Sequence, residues 1–501
     1  MHRSPSAKRS LIAALALAAL ATLATTGGAR AQLPLREALR TADETAFPNR
    51  MARGRTSARR GEALAPLQGL LPSVRLDGGY VRTTDPLNAF GLALQQRDIT
   101  EADFDPRRLN SPAAIGNYQA GVVVEQPLFN ADAWLGRRAA REAADAADAQ
   151  QGWTLISTHT DVIRAYYGAV LAAERSATLE AAALAAHAHA AQARSLVRNG
   201  LVTKSDALLA EVRAGEMDAR LAEARGDAES ALRQLEVALG RSPEGSTLLP
   251  RSLPGSARIR EVLAPDTTER TAGARADVEA ARRGVAAARA DALRARSTYL
   301  PRINGFARYD WNSALRPYAG DRSWTLGVMA SWNLFTGGTL ADVRATSGRE
   351  SAARAEADAA SANARLEVER SGTALRVALA RLAIAERAAA QSAEAHRIVS
   401  RQYEGGLATI AALLDAQAAD VGSSLGLSQA RYSAIVAGAE RRQALGLDPA
   451  TIAVLDDAPA NAASSDATDD TDDTDDTDTT DATDTTDATA RERPGHDAPP
   501  R

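Results

Sequence analysis

Hydrophobic and polar positions along this chain switch between two periods. From Trp324, the segment WTLGVMASW alternates: Trp324, Leu326, Val328, Ala330 and Trp332 share one side, and Thr325, Gly327, Met329, Ser331 and Asn333 the other. A period of two belongs to a β-strand. Tyr118, Ala120, Val122 and Val124 repeat the pattern upstream, and SVRLDGGYVR after Leu71-Pro72 and RINGFARYDW after Leu300-Pro301 read as two further strands. Elsewhere the texture is helical. From Asn130 to Arg198, and again from Thr336 to the Gly405-Gly406 pair, there is no proline and alanine dominates. Stripes such as Leu375, Leu379 and Leu382 fall at i, i+4 and i+7, the spacing of one helix face. Each run predicts a helix of roughly 100 Å at about 1.5 Å per residue.

The two halves of this pattern are copies. GLVTKSDALLAE begins at Gly200 and GLATIAALLDAQ at Gly406, 206 positions apart. Gly121, Val122, Leu128 and Phe129 match Gly327, Val328, Leu334 and Phe335 at the same offset. Two separated landmarks with one offset indicate a duplicated unit of helix, β-hairpin, long helix, turn and returning helix. The first repeat is drawn over 32–247, with strands at about 71–82 and 118–129, a long helix at about 130–198 and a return helix at about 203–240. After a linker over 248–271, the second repeat runs over 272–457, with strands at about 301–311 and 324–335 and helices at about 336–404 and 408–445. Asn199-Gly200 has the chemistry of a helix C-cap, and Thr203 or Ser205 suits the next N-cap. The first hairpin carries the longer loop, rich in Asp, Asn and Pro, and the pairs Gly78-Gly79 and Gly337-Gly338 read as strand bends near a rim.

Both ends differ from the repeats. His2, Arg3, Lys8 and Arg9 precede the apolar LIAALALAALATLA, and Ala29-Arg30-Ala31 fits a small-x-small cleavage site, so residues 1–31 read as a secretory signal peptide. Residues 458–501 are DDT and DAT repeats without large apolar groups and read as a disordered acidic tail; a cation-binding arm is the alternative. The tail makes the rest of the chain mildly basic within a formal net charge of −4. There is no cysteine, which excludes disulfides, thiolate metal sites, a cysteine nucleophile and lipid attachment through an N-terminal cysteine. Aromatics are only 4%, favouring helices packed through alanine and leucine over a thick globular core.

An apolar strand face with an aromatic at each end, here Trp324 and Trp332 and, in the first repeat, Tyr118, is what a lipid-facing barrel strand requires. Four strands cannot close a barrel, and lipid tolerates no open sheet edge. Several chains must therefore share one barrel, and three would supply twelve strands. The alanine-leucine stripes of the long helices need neighbours for the same reason, which places a helical tube below the barrel.

The LPxV/I hairpin starts at Leu71 and Leu300, the PLF and NLF strand ends, the paired turns, RADV at 275–278 and the loop segments NAFGLALQQ and DFDPRRLN together resemble the TolC-like outer-membrane efflux proteins, over roughly residues 33–447. The resemblance implies an α plus membrane β-barrel fold: a homotrimer whose twelve-stranded barrel in the outer membrane continues into a periplasmic α-helical barrel. It implies an exit duct for efflux or type I secretion, opened by a periplasmic adaptor protein and an inner-membrane pump that dock at the periplasmic turns. The matching docking positions are Gly200, Leu201 and Thr203, with Gly406, Leu407 and Thr409. Asp206 and Tyr403 match members of a polar network that gates the family's tip, and Asp415 matches an aspartate lining its aperture. Two departures stand out: Ala408 occupies the place of the usual arginine and Ala412 that of a second aspartate, so the closed tip is expected to rest on packing or on another residue such as Lys204.

Other candidates carry less. His187 and His189 are at i and i+2 and point to different sides of a helix, and His159 and His396 are isolated in the sequence. No nucleophile triad, phosphate loop or metal motif is present, so neither catalysis, a cofactor, a metal nor nucleic acid is expected. The competing reading is an envelope-spanning coiled-coil spacer without transport, which the aromatic-edged strands and duplicated turns disfavour.

Overall fold

The computed structural model describes residues 32–264, 275–316 and 319–456; the expected signal peptide, the expected acidic tail and part of the expected linker lie outside them. The elements are α1 (Leu35–Thr45), α2 (Phe47–Glu62), β1 (Ser73–Thr83), α3 (Pro86–Gln95), α4 (Pro106–Asn110), β2 (Ile115–Phe129), α5 (Ala131–Arg198) and α6 (Lys204–Ala238). They continue with α7 (Ser256–Val262), α8 (Ala276–Ser297), β3 (Arg302–Arg316), β4 (Ala319–Ser331), α9 (Gly337–Glu404) and α10 (Ile410–Ala444), closed by a 3₁₀ segment at Pro449–Asp456. The duplication reaches the helix ends. α5 and α9 are each 68 residues long and α6 and α10 each 35. Gly200 and Gly240 in the first repeat, and Gly406 and Gly446 in the second, all have φ between +70° and +74°, the left-handed position that glycine fills beyond a helix end.

The strands form one antiparallel sheet in the order β1-β2-β3-β4, with β1 and β4 as edges. β3 and β4 extend past the stretch read as loop, since Asn312 pairs with Asp321 and Arg316 with Ala319. At the other end β4 stops early. Ser331 pairs with Arg302, and beyond it stands Pro301, which has no N–H to continue the ladder. Trp332, Leu334 and Phe335 therefore leave the sheet, and Gly337-Gly338 lie in the first turn of α9 rather than in a strand. Their N–H groups need no helical partner there. The long loop of the first hairpin is also structured: Asp85 Oδ1 accepts the Asn88 N–H at 2.8 Å and Asp105 Oδ1 the Arg107 N–H at 2.9 Å, capping α3 and α4, each of which starts with proline.

The helices continue the sheet order. α2 packs on α5, α5 on α8 and α8 on α9, matching the strands β1, β2, β3 and β4 to which they connect. The main core lies where α1 and the 3₁₀ segment dock on α5: Leu35, Ile163, Tyr166, Leu235, Leu382 and Ile435 are all fully buried there. Burying each such side chain contributes about 1.5–3 kcal/mol. Asp456 fastens this region. Its carboxylate accepts the Leu35 N–H at 3.0 Å, the Tyr166 hydroxyl at 3.2 Å and the Tyr167 hydroxyl at 2.8 Å. Along the hairpins below, buried alanines such as Ala186, Ala190, Ala207 and Ala210 let α5 and α6 approach closely.

Candidate functional site

At each turn between a long helix and its return helix, the cap chemistry fixes the backbone. Leu201 N–H donates to Leu196 O at 3.0 Å and Gly200 N–H to Val197 O at 3.0 Å; in the second repeat Leu407 N–H donates to Gln402 O at 2.8 Å and Gly406 N–H to Tyr403 O at 3.0 Å. This paired arrangement requires the left-handed glycine. Thr203 and Thr409 cap the return helices, accepting N–H groups from Asp206 and Ala412 at 3.2 Å. The apolar residue after each glycine is left in solvent, Leu201 at 70% and Leu407 at 85% exposure. Two matching turns therefore each present one exposed leucine on a rigid backbone.

The three residues expected to gate this end fare differently. The Asp206 carboxylate is engaged locally: its Oδ2 accepts the Thr203 N–H at 3.1 Å and the Thr203 hydroxyl at 2.8 Å. The second repeat cannot repeat this box because Ala412 has no side-chain acceptor. Tyr403 is buried among the alanines with Ile410, Leu413 and Leu414, and its hydroxyl has no hydrogen-bond partner among the described residues. Burial, and then the Asp206 charge, raise the Tyr403 pKa. Asp415 is exposed, and its charge adds to the raised pKa of Arg213 after the Glu216 carboxylate that hydrogen-bonds it. Lys204 takes part in no ion pair among the described residues. The tip of this chain is thus apolar at its centre.

Higher up the hairpins, His187 pairs with Asp218 at 2.9 Å and His396 with Asp420 at 3.0 Å, each joining a long helix to its return helix. Burial, and then the neighbouring His396, lower the pKa of His189. No group of three or more candidate ligands that could hold a metal ion occurs among the described residues.

The sheet sorts its side chains by face. On one face Trp324, Leu326 and Val328 stand beside Tyr309 and Ala307 of β3, then Val122 and Val124 of β2 and Leu76 and Val74 of β1. This face is open: Val328 is 68% and Trp324 75% exposed. Tyr118 stacks on Tyr80 with ring centroids 4.6 Å apart, and Tyr309 on Trp311 at 4.6 Å. With Trp324 these five rings edge one end of the apolar face. Trp332 lies past the strand at the other end and donates from Nε1 to Tyr299 O at 2.9 Å. The reading from sequence missed Tyr80, Tyr309 and Trp311, although each falls in the alternating register of its strand. The opposite face is polar, with Arg75 3.6 Å from Glu125 and Arg308 2.7 Å from Asp310. At its edge Gln96, from the end of α3, donates to Asn117 Oδ1 at 2.9 Å, and Asn117 donates to Asn312 Oδ1 at 2.8 Å, a buried amide relay that pins the first loop to β2 and β3. No helix among the described residues is long and apolar enough to cross a membrane.

The family model described as outer membrane efflux protein matches residues 50–241 and 269–447. Among solved structures, the fold is similar to the CmeC outer membrane channel of Campylobacter jejuni, with TM-score 0.69 and 14% identity over 82% of this chain and 85% of that one. It is similar to VceC of Vibrio cholerae, with TM-score 0.68 and 19% identity over 82% and 96% of the two chains. The MtrE outer membrane channel of Neisseria gonorrhoeae, in its open state, matches with TM-score 0.64 and 18% identity over 83% and 89%. No match is found among curated protein sequences.

Proposed function

The chain belongs to the outer membrane efflux protein family, and on that premise we propose that it is the passive exit duct of a tripartite efflux or type I secretion assembly. Proteins of this family are outer-membrane channels, not enzymes, and the chain's place is the outer membrane with its helices on the periplasmic side. The observation that carries the finer reading is the four-stranded sheet with an apolar outer face and two free edges, β1 and β4. Unpaired edges cost too much in hydrocarbon to persist. Three copies pairing β4 of one with β1 of the next give a closed twelve-stranded barrel, and α9 then meets α2 of the neighbour below it. The polar face with Arg75, Glu125, Arg308 and Asp310 becomes the lumen, and the rings of Tyr118, Trp324 and Trp332 become the membrane girdle.

In this assembly the turns at Gly200, Leu201 and Thr203 and at Gly406, Leu407 and Thr409 are the docking points for a periplasmic adaptor, itself bound to an inner-membrane pump. Tyr403, Asp206 and Asp415 ring the closed aperture, and docking opens it. The test is the native mass of the protein extracted in detergent from separated outer membranes. A mass of three chains is expected; a monomer would mean that the strands do not share a barrel.

A further inference from the structure

We propose that the upper ends of α5 and α8 carry a binding collar for anionic phospholipid head groups of the leaflet facing the periplasm. One ion pair and one shared groove orient the two helices. Arg302 is on the polar face of the sheet with Arg308 and Asp310, and its guanidinium holds Asp132 at 2.6 Å. Asp132, Asp291 and Arg302 line one groove between α5 and α8, so these two aspartates mark the side of the helices below the polar face. At about 100° per residue, Trp134, Arg137, Arg138 and Arg141 stand about 140–240° round from Asp132, and Arg289 and Arg296 about 140–160° round from Asp291. They lie on the opposite side, under the apolar face of the sheet.

Their height fits an interface. Trp134 is about 5 Å below the start of α5, Arg137 and Arg138 about 10 Å and Arg141 about 15 Å, while Arg289 is about 12 Å below the end of α8. The head-group layer begins where the apolar strand face stops and is about 5–8 Å deep, and arginine stems reach upward along apolar surface to set their charge in it. Trp134 is 65% exposed, as an interfacial anchor is. None of the five arginines takes part in an ion pair among the described residues. Arg138, Arg282 and Arg289 converge on an outer groove of about 360 Å³ floored by Val285, Ala286 and Leu293, with no carboxylate in its wall. Trp134, Arg137, Arg138 and Arg141 line a second depression that also holds Glu142 and Asp145, and Arg283 engages those two carboxylates at 3.2 and 3.8 Å. Unpaired guanidinium groups over an apolar floor, beneath a lipid-facing sheet, match a phosphodiester joined to acyl chains.

The proposal rests on the membrane placement of the sheet, and native mass of the extracted full chain tests the two separately. Chain stoichiometry reports the barrel; retained lipid reports the collar. With phosphatidylglycerol or phosphatidylcholine titrated into the neutral detergent, the wild type is expected to retain the anionic lipid at least about fivefold better. The triple variant Arg137→Gln/Arg138→Gln/Arg289→Gln is expected to lose that preference to within about twofold, and the matching Lys variant to keep most of it. Arg198→Gln/Arg220→Gln, exposed sites near the tip hairpin, should keep it in full. An unchanged preference in the Gln triple variant with correct oligomeric mass overturns the proposal. So does a wild type that retains phosphatidylglycerol no better than phosphatidylcholine.

Discussion

His159 Nδ1 lies 2.7 Å from Asp448 Oδ1, and the ring's Nε2 lies 2.7 Å from Asp43 Oδ1. One imidazole, 4% exposed, thus ties α5 to α1 and to the segment that follows α10. Burial lowers the His159 pKa, but the two carboxylates outweigh it and the net shift is upward. Asp448 is opposed by burial and moved downward by the His159 hydrogen bond. A raised histidine contributes stability that is complete below its unfolded pKa and is lost as pH rises through the folded one. A lowered aspartate contributes stability that is present above its unfolded pKa and is lost as pH falls through the folded one. The clamp is therefore strongest between about pH 4 and pH 6.5. The apparent melting temperature is expected to be higher at pH 5.5 than at pH 8.5, and His159→Gln to flatten that difference while costing about 1–3 kcal/mol. An equal pH slope in wild type and variant would place the proton elsewhere.

Arg275 is a second joint of this kind. It chelates Asp277 at 3.0 and 2.8 Å, holds Glu367 of α9 at 2.6 Å, donates to Ala444 O at 3.3 Å and lies 4.4 Å over the Trp153 ring. Arg275→Ala leaves these partners without their cation and is expected to cost about 3 kcal/mol in denaturant unfolding. Arg275→Lys should recover less than half, because an ammonium cannot chelate and stack at once. Full recovery by lysine would show that charge alone matters.

These two joints also mark what the sequence could and could not tell. Helices and turns were legible because their signals are local: proline-free alanine runs, a glycine past each helix end, a threonine before the next. The offset linking Gly200 to Gly406 extends to Gly240 and Gly446, since the same caps recur. His159 was read as isolated because Asp43 and Asp448 are 116 and 289 positions away, and such contacts have no local signature. Arg275 was noticed only through a resemblance, without its partners. Gly337-Gly338 was misread because the strand end is set by Pro301 on a different strand's approach. The first hairpin's connection reads as loop because the Asp-Pro caps of α3 and α4 are turn signals as well.

Gly240 gives a sharper backbone test. Its φ is +74°, and a Cβ there would stand 2.0 Å from the Thr45 carbonyl oxygen. Thr45 Oγ1 in turn donates to Leu239 O at 2.5 Å, so α1 and the end of α6 are locked together at that point. Gly240→Ala combines left-handed strain of about 1–2 kcal/mol with a clash against backbone that cannot rotate away, about 1–3 kcal/mol more. Gly200→Ala carries the strain alone, as nothing lies within 4 Å of its Cβ position. Thermal unfolding of the two variants should differ by about 2 kcal/mol, with Gly240→Ala the weaker; equal losses would refute the locking contact.

At the tip, the buried hydroxyl of Tyr403 without a partner separates two ways of holding a duct shut. If apolar packing closes it, the ring matters and the hydroxyl does not. Tyr403→Phe is then expected to leave the conductance of reconstituted protein within about twofold and to raise stability by up to about 1 kcal/mol, since an unpaired buried hydroxyl is removed. Tyr403→Ala empties the cluster around Ile410 and Leu413, and should cost about 3–5 kcal/mol and raise conductance severalfold. Ala408→Arg places a guanidinium beside that cluster, and where packing already closes the tip it is expected to lower conductance little. Single-channel recording of the three variants decides the matter. If Tyr403→Phe opened the duct as far as Tyr403→Ala, the hydroxyl would have a partner in the assembled tip, and a polar latch would hold the aperture after all.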